Sequence, residues 1–227
     1  MSGFKETEGA DGVDPRIKDL LVSCIGAVAV DGGGISLLSR GGAGEPVYGS
    51  DPTAEKLERL QFTLGEGPCV DASAGRSPVL VPDLESPGSG ATERWPTFLA
   101  EAFGLGVRAV FAFPLRIGAR SLGAVDFYRR AAGPLEDRDV VRSLTVVDTI
   151  ALALLDGDAD ADTAFGAESL HNLEVHRAAG MVMMQMGSSI EEALLRLRAT
   201  SFAEGLPIDD LARAVVHGER RFDEDLA

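Results

Sequence analysis

The residues from Val175 to Val216, VHRAAGMVMMQMGSSIEEALLRLRATSFAEGLPIDDLARAVV, constrain this chain more than any other stretch. Two breaks divide them into three short helices. The first break is Gly187-Ser188-Ser189; a glycine ends a helix in the left-handed conformation and a serine caps the next one. Two capping-box spacings are available there, Ser188 to Glu191 and Ser189 to Glu192. The second break is Gly205-Leu206-Pro207, with glycine past a helix end and proline at a helix start. Apolar residues recur at helical spacing within each segment: Val175, Ala178, Ala179, Val182 and Met186, then Ile190, Leu194 and Leu197, then Ile208, Leu211 and Val215. Such a compact helical unit, placed after a domain of another kind, reads as an output or interaction module. Met181, Met183, Met184 and Met186 nearly encircle its first helix. More than one face of that helix is therefore expected to be covered, by its own bundle and by a partner or the preceding domain.

The preceding region has a different grammar. Residues 1–13 read as a disordered lead, and Asp14-Pro15 starts a helix with Ile17, Leu20, Leu21 and Cys24 on one face. Gly32-Gly33-Gly34 and Gly41 to Gly44 read as turns around a strand at Ile35–Leu38, with a second strand at Val47–Ser50. Ala54 to Leu60 reads as a helix whose Glu55, Lys56, Glu58 and Arg59 form a charged face. Leu64 to Cys69 is a sharp loop opening a short helix, Pro78–Val81 is a strand, and Thr92–Gly104 is a helix. Val107, Ala109, Phe111, Phe113, Leu115 and Ile117 alternate as one face of a sheet, and Leu122–Arg129 returns as the hairpin partner. Glu136–Leu155 is a long amphipathic helix. This order predicts an α+β domain with a mainly antiparallel sheet over residues 14–156. The acidic, small-residue stretch 157–167 reads as a linker, and 168–227 as the helical module.

The chemistry of the chain excludes more than it assigns. Its three histidines, His171, His176 and His217, all follow the linker, so the first domain has no imidazole for acid/base work or haem ligation. Nucleotide-loop, zincin, CxxC and nucleophile-elbow motifs are absent. We therefore expect no catalytic residues, no metal ligands, no cofactor and no enzymatic activity. Three residues of the first domain stand out as candidates for a sensor pocket. Cys69 begins a short helix, whose dipole lowers a thiol pKa, and reads either as a redox or ligand-contacting thiol or as a small packed residue. Asp126 interrupts an apolar strand, where it lines a cavity, faces solvent or bonds to a backbone amide. Trp95 reads as a core anchor or a ligand platform.

The net charge of −15 argues against sequence-independent nucleic-acid binding. The module itself carries six arginines and no lysine against eleven acidic residues between Glu168 and Ala227. Any nucleic-acid binding by it would rest on locally placed arginines. Arg177 lies beside Ala178 and Gly180, Arg196 pairs with Glu192 along its helix, and Arg198 has no acidic residue four positions before it; each also reads as a solvated charge. No apolar run approaches the roughly 18–20 residues of a bilayer span. The polar, acidic start is unlike a secretory signal, and two cysteines do not make a disulfide framework. A cytoplasmic location without membrane association is expected.

Taken as a pattern, Ala178-Ala179-Gly180, Gly187 to Ser189 with Glu192-Ala193, Leu197-Arg198, and Pro207-Ile208 with Leu211-Ala212 and Val215-Val216 resemble the ANTAR domain, an RNA-binding antiterminator module. Gly65-Glu66-Gly67-Pro68-Cys69 and Leu122 to Tyr128 resemble a GAF sensor domain. The pairing is typical of actinobacterial regulators. The resemblance implies a GAF-type antiparallel sheet flanked by helices, followed by a three-helix ANTAR bundle. It also implies a homodimer that binds RNA hairpins in nascent transcripts and prevents termination, under control of a small-molecule or protein signal at the GAF domain. By the same resemblance Arg177, Ala178, Gly180, Arg196 and Arg198 form the RNA surface. Two positions often basic in that family are Ala179 and Gln185 here. The alternative is a ligand or redox sensor whose helical module binds a protein instead of RNA.

Overall fold

In the computed structural model, residues 13–38, 44–156 and 167–222 are described. The expected lead and linker fall almost wholly outside them. Helix α1 (Pro15–Ala27) starts where Asp14 accepts from the Arg16 amide. Strands β1 (Gly32–Leu38) and β2 (Gly44–Gly49) precede α2 (Pro52–Leu64) and α3 (Pro68–Gly75). Then come β3 (Val79–Val81), α4 (Ala91–Arg94), α5 (Pro96–Gly104), the hairpin β4 (Ala109–Ile117) and β5 (Arg120–Arg129), and α6 (Asp137–Asp156). The sheet order is β2-β1-β5-β4-β3, antiparallel throughout.

Strand alternation divides the core into two layers. Ile35, Leu37, Phe111, Phe113, Val125 and Phe127 pack with Leu21 and Cys24 of α1 and Ile150 of α6. The opposite face presents Gly34, Ser36, Ala112, Ala124 and Asp126, and α2, α3 and α5 cover it.

Three sequence expectations are corrected. The Gly32–Gly34 run is strand, not turn, because side chains crowd its backbone: a Cβ on Gly34 would lie 2.6 Å from Glu58 Oε1, and one on Gly33 2.8 Å from Phe127 Cδ1. The helix expected over Thr92–Gly104 is two helices, since Pro96 cannot continue α4 and instead opens α5. The charged face of α2 does not include Glu58, which is 1% exposed.

The helical module consists of α7 (Ala167–Met186), α8 (Ile190–Glu204) and α9 (Ile208–Val216). Gly187 and Gly205 adopt φ +62 at the two breaks. The capping box forms on Ser189, whose Oγ accepts from the Glu192 amide while Glu192 Oε2 accepts from the Ser189 amide. Val175, Ala178, Ala179, Val182, Leu197, Leu211 and Val215 are the shared core. One residue of the first domain, Phe62 of α2, belongs to the same cluster. No helix among the described residues is long and apolar enough to cross a membrane.

Candidate functional site

The loop Gly65 to Cys69 assembles a buried polar centre, and each of its residues has a separate task. Gly65 caps α2 in the left-handed conformation. Glu66 Oε1 accepts from the amides of Thr97 and Phe98, both at 2.8 Å, and so caps α5. Gly67, at φ +137, leaves room for the Gln61 side chain, whose Oε1 would sit 2.5 Å from a Cβ there. Pro68 starts α3, and the Cys69 amide donates to Gln61 Oε1 at 2.8 Å. This turns the Cys69 thiol under the sheet.

There it meets Asp126 from β5 and Glu58 from α2. Donor atoms of Glu58, Cys69 and Asp126 all lie within 4.8 Å of one another. Ser36 Oγ donates to Glu58 Oε2, and Gln61 Nε2 donates to Asp126 Oδ2 at 2.5 Å. Asp126 Oδ1 is buried with no hydrogen-bond partner. Small residues make the space: Gly34 and Ala112 are the register partners of Asp126 on the two adjacent strands. A cavity of about 10 Å³ is lined by both carboxylates together with Leu57, Gln61 and Phe98.

Burial dominates the electrostatics. It pushes the Asp126 carboxyl up to about 7, with hydrogen bonds from Gln61, Glu58 and Cys69 pulling the other way. Burial, then the Asp126 charge, holds Glu58 well above the usual carboxylate range. The Cys69 thiol is raised well above its ordinary value by burial, then by Asp126 and Glu58. That reverses the expected helix-dipole activation of this cysteine. With no ion added, a carboxyl whose pKa is raised by folding binds its proton more tightly in the native state. Its contribution is fully present below the unfolded value near 4 and is lost as pH rises through about 7. We expect Asp126→Asn to remove that loss and to gain stability relative to wild type between pH 4 and 7, at up to about 1.4 kcal/mol per pH unit. Urea denaturation of both proteins in chelator at three pH values checks this; parallel pH profiles would refute it.

The structure brings Cys69 and Asp126 together. Trp95 lies apart from them, fully buried among Phe98, Leu84 and Val107, with Nε1 donating to Asp71 Oδ2 at 3.2 Å. Glu58, Gln61 and Ser36 were missed by sequence reasoning. The signal was present in part, for Ala54, Leu57, Glu58 and Gln61 share one helical face with Phe62.

The residues expected to face RNA are spread over unlike settings. Arg177 is exposed, Gly180 and Arg196 are half-buried, and Ala178 and Ala179 are fully enclosed in the module core. Gln185 Oε1 accepts from the Phe222 amide at 2.8 Å, which ties the segment after α9 onto α7. Arg198 turns toward the first domain. Its guanidinium lies 5.9 Å from the centroid of the Phe62 ring, and a Cβ on Gly65 would lie 2.7 Å from its nearer terminal nitrogen. Arg198 Nε is buried with no hydrogen-bond partner, and burial lowers its pKa. An exposed ion pair between Arg59 and Asp209, at 3.3 Å, spans the same junction.

Residues 171–216 match the ANTAR domain family. Among solved structures, the first domain is similar in fold to a domain assigned to a two-component sensor histidine kinase protein of Sinorhizobium meliloti 1021. The two are 19% identical, the match covers 63% of this chain and 91% of that one, and the TM-score is 0.52. A GAF domain/HD domain protein from Geobacter sulfurreducens matches at 17% identity, 68% and 95% coverage and TM-score 0.48. The GAF domain of a phosphoenolpyruvate-protein phosphotransferase from Coxiella burnetii matches at 14%, 65%, 84% and 0.48. No curated protein matches the chain. The chain thus has an α+β domain of GAF-like fold, followed by a helical unit whose residues 171–216 match the ANTAR family.

Proposed function

We propose that the chain is a regulator whose ANTAR module binds hairpins in nascent transcripts and prevents termination, and whose GAF-type domain controls access to that module. The role associated with ANTAR modules is RNA-binding antitermination. The observation that carries the gating is the contact of Arg198 with Phe62 and Gly65. An arginine held over an aromatic ring of the sensor is unavailable to stack on an unpaired base. A cation–ring contact of about 0.5–2 kcal/mol is weak enough for a signal to reverse. Domains of these two kinds are generally regulatory and non-enzymatic, which supports a non-catalytic role.

Dimerisation is part of the proposal. Val141, Leu152 and Leu155 of α6 and Met184 of α7 are exposed large apolar residues, Met184 at 78%. Pairing two copies would cover them and present two modules to two hairpins. A cytoplasmic location and an unidentified small-molecule or protein signal at the GAF-type domain complete the reading.

Fluorescence anisotropy with a two-hairpin RNA over a salt series tests it. We expect saturable binding that weakens as salt rises, and at least a tenfold loss in Arg198→Ala. Salt-insensitive binding, or no binding by either wild type or Phe62→Ala, overturns the RNA reading. The alternative, a protein partner, is favoured by the exposed Leu195 and Phe202 on α8.

A further inference from the structure

The centre under the sheet gathers three acidic groups and no base. Among the described residues no lysine, arginine or histidine offsets Glu58 or Asp126. Buried charges in proteins are paired, neutralised by protons, or bound to a metal. Here a small cavity is bounded by both carboxylates. Asp126 is 5% exposed, and its Oδ1 meets no hydrogen-bond donor outside the Glu58 and Cys69 side chains beside it. Three such groups so close together either share protons or give them up to a cation.

We propose that Glu58, Cys69 and Asp126 form a binding site for one divalent transition-metal ion. The donor set is one sulfur and two carboxylates, which suits borderline ions such as Zn2+, Co2+ or Fe2+ and disfavours Mg2+ and Ca2+. A tetrahedral shell with metal–sulfur about 2.3 Å and metal–oxygen about 2.1 Å has edges of roughly 3.4–3.6 Å. The present donors lie within 4.8 Å of one another, so a contraction of at most about 1.2–1.4 Å closes the shell. The surrounding groups suit this role. Gln61 Nε2 orients Asp126 and Ser36 Oγ orients Glu58, in the manner of the outer partners that fix metal ligands. Two consecutive helices and a strand remote from them converge on the ion, so its binding would draw α2 and α3 onto β5. Phe62 and Gly65, which hold Arg198, lie on α2 and its cap. On binding, the ion displaces the thiol proton and any carboxyl proton to solvent, so affinity rises with pH.

The full chain, stripped with chelator and titrated with Co2+, tests the site without RNA. We expect one equivalent bound, a near-ultraviolet thiolate-to-cobalt charge-transfer band, and a higher Tm. Cys69→Ser should abolish the band, and Cys24→Ser should keep it, since Cys24 lies on the other side of the sheet. Glu58→Gln and Asp126→Asn, each with native circular dichroism, should weaken Co2+ binding at least tenfold. Native mass spectrometry with Zn2+ provides the same stoichiometry independently of any sulfur band. Substoichiometric binding by folded wild type, binding without the sulfur band, or a band that survives in Cys69→Ser overturns the proposal.

Discussion

Phe62→Ala is expected to raise the affinity of the full chain for a hairpin RNA about 5- to 150-fold, corresponding to a coupling of about 1–3 kcal/mol between docking and binding. Phe62 is the one member of the module's hydrophobic cluster that the first domain supplies. Truncating a buried phenylalanine costs about 3–5 kcal/mol. Most of that cost falls on the docked arrangement, because in an undocked chain the Phe62 ring would face water. The substitution also removes the aromatic face beneath the Arg198 guanidinium. Beside it stand the Arg59–Asp209 pair, worth up to about 1 kcal/mol, and the packing of α7 on β2, while Arg198 Nε is unsatisfied when docked. Hydrogen exchange along α8 should rise in the variant, which reports undocking even without RNA. Unchanged or weaker RNA affinity, with α7–α9 still folded and α8 exchanging faster, would sink the gating idea.

Gly123→Ala should be the most damaging small substitution in the first domain, with a loss of about 4 kcal/mol or more in urea denaturation. Gly123 sits at φ +152, a conformation that L side chains rarely adopt and that costs about 1–3 kcal/mol. A Cβ there would also lie 2.0 Å from the Ser36 carbonyl oxygen and 2.8 Å from Leu37 Cα. Those are backbone atoms of the paired strand β1, so no rotamer change relieves the clash. The sheet must part at Leu37↔Gly123, its last paired position on that side. Ser36, the donor to Glu58, moves with it. Ala124→Gly, one residue along, is the control and should cost far less. A change below about 1 kcal/mol for Gly123→Ala would mean that the β1–β5 register is wrong, since a backbone clash of that size is not absorbed by relaxation.

Much of this fold was legible because its signals are local. The alternation through Phe111, Phe113 and Leu115 named the face that packs on α1 and α6. Asp126 was legible as an anomaly, a carboxylate in an apolar strand, though not as a member of a cluster. Glu58 was hidden because helical periodicity counts glutamate as polar, and its neighbour Arg59 made a solvated face plausible. Only the packing of α2 on Gly34 shows that Glu58 points inward. The glycines at 32–34 were misread for a related reason. A glycine required by a close approach looks, in one dimension, like a glycine required by a turn.

The sequence alone determined the three-helix module, its breaks and the two-domain order. Left-handed glycines, the Ser189 cap and apolar spacing act within a few residues of themselves, and their energies hardly depend on what lies further along the chain. Only the tertiary structure decided what the functional side chains meet. Gln61 reaches Asp126 across 65 positions, and Arg198 reaches Phe62 and Gly65 from another domain. Such encounters depend on how sheet, helices and module pack. The same packing removes the water that would otherwise screen these charges, and that desolvation makes one arginine a latch and three buried acids a candidate metal site.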